Sequence, residues 1–241
     1  MIELEDISLG YGDRILLDSV SATFGTGTLT ALLGRNGAGK STLLRAAAAL
    51  GKVAGGKVRL CGDDAAKLSP MQLARRVSFV TTDKVRISNL ACEDVVALGR
   101  APYTNWIGRM QEVDRETVAD ALAAVGMSGF AHKTMDTMSD GECQRVMIAR
   151  ALAQQTPVIL LDEPAAFLDL PTRYEVCRLL RSLAHDEGKT ILFSTHDLDT
   201  AFAECDAIAL IDTPRLIHLP ADEMRLSGHI ERLFGITVAA R

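Results

Sequence analysis

The chain has 241 residues, 48% of them hydrophobic and 24% charged, with a formal net charge of −5. That composition excludes disorder as the main state, and the negative balance argues against a broad nucleic-acid surface, which needs clustered Lys and Arg. The length suits one α/β domain carrying a smaller lobe. The longest apolar runs, such as 158–161 and 207–211, fall far short of the roughly 20 residues that cross a bilayer. The opening Met1-Ile2-Glu3-Leu4-Glu5-Asp6 is acidic and alternating, unlike a secretory leader, so a cytoplasmic protein is expected. Cys61, Cys92, Cys143, Cys177 and Cys205 lack metal-site spacing and read as free thiols.

In chain order, residues 2–9 alternate through Ile2, Leu4, Ile7 and Leu9, and 28–33 is a short β-rich run ending on Gly34. A glycine-rich loop follows, then a helix predicted over 41–50 and closed by Gly51. Gly55-Gly56 turns the chain into strands predicted at 57–61 and 77–81. From 85 to 155 the pattern is helical, broken at Pro102-Tyr103 and at 126–129, which suggests a helical lobe inserted into the core. The continuous apolar run 158–161 reads as a central parallel strand. Pro171 opens a helix with Tyr174, Cys177, Leu180 and Ala184 on one stripe, and strands follow at 190–195 and 207–211. Strands and helices in this alternation predict an α/β fold with a mostly parallel sheet covered on both faces.

Three stretches carry chemistry. Gly34-Arg35-Asn36-Gly37-Ala38-Gly39-Lys40-Ser41 satisfies G-x-x-x-x-G-K-[ST]: the glycines let backbone N–H groups turn around phosphate oxygens, Lys40 brings charge to the β and γ phosphates, and Ser41 offers a hydroxyl to Mg²⁺. A merely structural glycine turn would need neither Lys40 nor Ser41. Leu160-Leu161-Asp162-Glu163 puts two acids at the carboxyl end of a buried strand, where open α/β sheets bind ligands. Asp162 is expected to hold Mg²⁺, and Glu163 to orient or deprotonate the water attacking the γ phosphate. His196 ends another apolar strand, 191–195, which places it on the same edge within reach of the γ phosphate.

Between these stretches lies Met138-Ser139-Asp140-Gly141-Glu142-Cys143-Gln144-Arg145. Ser139 and Glu142 have the spacing of a capping box, and a helix start of that kind is also an anion site. The segment resembles the signature of ABC ATPases, usually Leu-Ser-Gly-Gly-Gln. Tyr11 sits where that family stacks an aromatic on adenine, Leu168-Asp169 matches its D-loop, and His196 matches its switch histidine. The resemblance covers nearly the whole chain.

It implies a P-loop, RecA-like core with an N-terminal antiparallel β portion, the core being 1–84 and 156–241 and the helical subdomain 85–155. It also implies ATP and Mg²⁺ as cofactors, with Lys40, Glu163 and His196 catalytic and Ser41 and Asp162 on the metal. Nucleotide contacts would come from Tyr11, Gly34, Asn36, Gly37, Ala38, Gly39, Lys40, Ser41 and Thr42. A second copy of the chain would add Ser139, Gly141 and Asp169, so that ATP closes a homodimer and hydrolysis reopens it. Two departures stand out: Asp140 replaces a glycine and Glu142 a glutamine. A third is Thr82, which occupies the place of a glutamine that touches Mg²⁺ and the transport partner, with Asp83 beside it as the expected replacement.

Leu98-Gly99-Arg100-Ala101-Pro102-Tyr103 resembles a segment of ATPases serving importers of iron-siderophore, haem or cobalamin complexes, as does 167–171. Such a subunit would work with two separate permease subunits docked on its helical lobe, at the inner face of the membrane, and indirectly with an external binding protein. Trp106 is expected to pack within the lobe. Two other readings stay open at this point: a small-molecule P-loop kinase with the lobe as lid, and a non-transport ABC ATPase acting as a clamp.

Overall fold

The computed structural model describes residues 1–12, 14–83, 88–104 and 109–236; Trp106 lies outside them. Two sheets organise the chain. The smaller is antiparallel, in the order β2 (Arg14–Phe24), β1 (Ile2–Tyr11), β4 (Gly55–Leu60), β5 (Asp63–Asp64). The larger has six strands: β10 (Arg215–Pro220), β9 (Ala207–Asp212), β3 (Leu29–Gly34), β8 (Thr190–Ser194), β7 (Val158–Leu161) and β6 (Val77–Val80). All its pairings are parallel except β9 with the edge strand β10.

The continuous apolar run of β7 follows from burial on both faces. Ile159 and Leu161 join one core, Val158 and Leu160 the other. One core lies between the two sheets and takes Leu43 and Leu44 of α1 (Lys40–Ala47), with Leu73 of the short α2 (Pro70–Ala74) packed against it. The other lies under α6 (Leu170–Glu187), takes in Ala201 of α7 (Leu198–Glu204) and Met224 of α8 (Ala221–Leu226), and runs without a break into the helices inserted between β6 and β7: α3 (Cys92–Ala97), α4 (Glu112–Ala124) and α5 (Asp140–Ala153). Among the described residues no helix is long and apolar enough to cross a membrane. None of the five cysteines is in a disulfide, and only Cys61 is exposed.

Several sequence expectations shift. The helix after the glycine loop stops at Ala47, because Ala49 takes φ 55° and Leu50 and Gly51 both donate back to the Arg45 carbonyl. The α6 stripe is Val176, Cys177, Leu180 and Ala184, with Tyr174 only half-buried. β2 and β10 gave no separate signal. Register irregularities against β1 blur the alternation of β2, and β10 is half-buried along most of its length.

The Leu98–Tyr103 segment anchors the inserted helices. Arg100 is buried and ion-paired with the equally buried Asp114 at 2.9 Å. Its Nη1 also donates to the Ala153 carbonyl and to Gln155 Oε1, both at 2.8 Å, at the end of α5. Asp114 in turn accepts the Gln111 N–H that opens α4, and that bond, ahead of Arg100, holds its carboxyl below the usual range. A Cβ on Gly99 would stand 2.3 Å from the Arg150 carbonyl, so only glycine lets the segment lie against α5. Tyr103 covers the guanidinium at 4.2 Å and donates to the Gln154 carbonyl. Arg100→Ala is expected to cost about 3–5 kcal/mol, because it strands the Asp114 charge, seen as a lower denaturation midpoint. Arg100→Lys should recover only part, since an ammonium cannot serve three acceptors with a planar fork.

Candidate active site

β3 delivers the chain to the glycine loop at the carboxyl edge of the large sheet. α1 then starts at Lys40 with Gly39 as its cap, at φ 104° and with no side chain spent on the first-turn N–H groups. Those groups and the positive end of the helix dipole face the loop, an arrangement suited to phosphate. The buried Lys40 bridges back, its Nζ donating to the Gly34 carbonyl at 3.0 Å. The loop opens on a cleft of about 430 Å³ lined by Tyr11, Asn36, Gly37, Gly39, Lys40, Ser41, Thr42 and Glu163, together with Arg14 and Leu16. Arg14 was not singled out from the sequence. It reaches over the loop from β2, its Nη2 2.9 Å from the Gly37 carbonyl; a basic residue just after Tyr11 was the available signal. Tyr11 is exposed, and its hydroxyl lies 3.1 Å from Thr42 Oγ1.

The acids stand on the next strands. Because β7 and β8 run parallel in register, Asp162 emerges beside Ser194. The buried Ser194 hydroxyl donates to Asp162 Oδ1 at 2.6 Å and accepts the Glu163 N–H at 2.8 Å. Glu163 itself is held at φ 48°, a left-handed conformation that a side chain resists and that marks functional turns. Its carboxylate lies 3.8 Å from His196 Nδ1, too long for a direct hydrogen bond. The two share a small hollow floored by Ala165 and Ala166. Glu163 therefore belongs both to the cleft and to the His196 hollow. Gly34 and the buried Ala38 support the loop without lining the cleft. At β6 Thr82 donates to the Asp162 carbonyl at 2.9 Å, and Asp83 faces Arg45 of α1 at 3.8 Å.

Ser139, Gly141 and Asp169 do not line this cleft. They form a second cluster. Ser139 caps α5 by accepting the Glu142 N–H at 3.2 Å, while Glu142 accepts the Ser139 N–H at 2.7 Å and Lys133 Nζ at 3.3 Å. The Ser139 amide, then the serine hydroxyl and Lys133, hold the Glu142 carboxyl below its usual range against the cost of burial. Asp140 occupies the first turn of α5. A Cβ on Gly141 would stand 3.1 Å from the Phe167 carbonyl, so glycine lets the 167–169 loop pack on the start of α5. Asp169 caps α6 by accepting the Thr172 N–H at 3.0 Å, and the Thr172 hydroxyl, ahead of that N–H, depresses its carboxyl.

A doubly wound sheet with a glycine loop and two acids on its edge defines the class as a P-loop ATPase. The ABC transporter family model matches residues 17–166, and the chain belongs to that family. It is 36% identical over 200 residues to the iron(3+)-hydroxamate import ATP-binding protein FhuC of Bacillus subtilis, covering 83% of this chain and 74% of that one. To the petrobactin import ATP-binding protein YclP of the same organism it is 33% identical over 239 residues, or 99% and 94% of the two chains. A dimeric ATP-binding cassette in a post-hydrolysis state with ADP and phosphate superposes with a TM-score of 0.80 at 26% identity, covering 92% and 99%. The chain is accordingly an ATPase that binds ATP.

The depressed Glu142 carboxyl stabilises the folded state above the ordinary glutamate range, and that contribution is lost as pH falls through its lowered value. Thermal unfolding of Glu142→Gln between pH 7 and 3 should show a smaller acid-side loss of midpoint than the parent; an identical pH profile would contradict the assignment.

Proposed function

We propose that the chain hydrolyses MgATP in a site completed by a second copy, and so energises uptake of iron complexes, siderophore or haem, or of cobalamin, through separate membrane permeases. The observation that carries the reading is that Glu163 lines the same cleft as Lys40 and Ser41, fixed there by Ser194. Lys40 neutralises the β and γ phosphates and Tyr11 stacks on adenine. A water oriented and deprotonated by Glu163 attacks the γ phosphorus as the bond to the ADP oxygen breaks, while His196 steadies the equatorial oxygens. Arg14 adds a cation over the loop.

The donor set fits magnesium. Ser41 and Asp162 are hard oxygen ligands, and among the described residues no group of three acids, histidines or cysteines forms a cage of its own. Such a site suits an ion that keeps water and leans on substrate phosphates. Thr82 spends its hydroxyl on the Asp162 carbonyl, and Asp83, which faces Arg45 of α1, would be the further oxygen donor toward the metal. With Asp83→Ala, the Mg²⁺ concentration for half-maximal ATPase activity of the assembled transporter should rise several-fold; unchanged rate and metal dependence would remove Asp83 from this role.

Ser139, Gly141 and Asp169 act on the nucleotide of the partner copy, with ATP closing the pair and hydrolysis reopening it. The lobe, 85–155, docks two permease subunits at the inner face of the membrane, and the core is 1–84 with 156–241. An external binding protein acts at one remove. The importer relatives and the anchored Leu98–Tyr103 segment support an iron complex or cobalamin as cargo, over a kinase or a non-transport clamp. Copurification of the permeases and identification of the compound on the binding protein test this choice. Glu163→Gln should retain ATP while its turnover falls at least about a hundredfold, measured by phosphate release alongside sizing for a trapped dimer. Rapid turnover would exclude Glu163 as the base.

A further inference from the structure

A second hollow, about 370 Å³, adjoins the glycine loop and shares no lining residue with the nucleotide cleft. Three arginines line it from segments far apart in sequence: Arg35 from the loop, Arg215 from the start of β10, and Arg232 from α9 (His229–Phe234). His229 lines it too, with Asp212 as the single acid and Ile217 and Leu233 as its apolar part. Three arginines against one aspartate leave a formal balance of two positive charges around the hollow, in a chain whose net charge is −5. Asp212 is the cross-strand neighbour of Arg215, yet among the described residues none of the three guanidiniums forms an ion pair. Arg232 Nη2 donates to His229 Nδ1, which leaves this imidazole its other nitrogen to turn to a ligand.

Like charges brought together by folding repel, and the repulsion is relieved by an anion. Planar guanidinium forks match phosphate oxygens in pairs. We propose that this hollow is a second anion site taking a small phosphate-bearing ligand, and that its occupancy tunes ATP affinity through Arg35. The coupling has a short route. The Arg35 carbonyl accepts the Ala38 N–H at 3.1 Å inside the glycine loop, so holding the Arg35 side chain stiffens the turn that grips the nucleotide. This second clause rests on ATP binding at the loop; the anion site does not.

Calorimetric titration of pyrophosphate into Lys40→Ala protein, whose glycine loop is disabled, isolates the hollow. Saturable binding is expected, weakened about tenfold or more by Arg215→Gln with Arg232→Gln. Both side chains are exposed, so the double variant should fold, checked by an unchanged melting temperature. No binding to the Lys40→Ala protein, or equal binding with and without the two arginines, overturns the site. Flotation with phosphatidic acid or phosphatidylcholine vesicles assigns the source. Arginine-dependent capture by phosphatidic acid alone marks a lipid headgroup, and pyrophosphate binding without capture marks a soluble phosphate. For the coupling, added inorganic phosphate should shift ATP affinity about fivefold differently in protein with and without the two arginines, the loop being intact. Equal shifts sink the coupling and leave the anion site standing.

Discussion

The Ser194 hydroxyl is the pin of the molecule. It donates to Asp162 and accepts from the Glu163 backbone, so one buried group sets the direction of both acids. That bond exists only because β7 and β8 run parallel in register, which in turn requires cores on both faces of the sheet. The positive φ of Glu163 is the strain this arrangement carries, and it turns the carboxylate toward the cleft opened by Lys40 and Ser41. Packing, register and chemistry thus meet at one side chain.

The inserted helices use a different device. Their attachment runs through a buried guanidinium that ties the start of α4 to the end of α5, with a glycine allowing contact and a tyrosine as cover. A buried ion pair contributes little net stability against a well-packed apolar alternative, but it tolerates only one geometry. Its use here fits a lobe whose orientation matters more than its stability. The segment that marked the importer subgroup in the sequence therefore acts inside the chain, where its residues keep α5, and with it Ser139, at a fixed place.

What the sequence revealed depended on how local the signal was. The glycine loop and the strand carrying Asp162 and Glu163 were legible because backbone chemistry and a doubly buried strand each leave a dense, contiguous pattern. So was the Ser139 cap, whose partner lies three residues on. Arg14 was not, since its role comes from a hairpin folding over a loop that lies 23 residues away. Nor was Ser194, an unremarked serine at the end of a strand, because its meaning is the neighbour that the sheet supplies. β10 escaped for a related reason: an edge strand that is half-buried on both sides shows no alternation.

The separation of Ser139, Gly141 and Asp169 from the nucleotide cleft of their own chain makes a second copy the central claim. Mixing two inactive chains, Lys40→Ala and Ser139→Phe, tests it directly. Random pairing makes half the dimers mixed, each holding one intact composite site, so ATPase activity should return to roughly a quarter of the parent's. If the mixture stays at the sum of its two inactive components, the chain completes its site alone and the account is wrong.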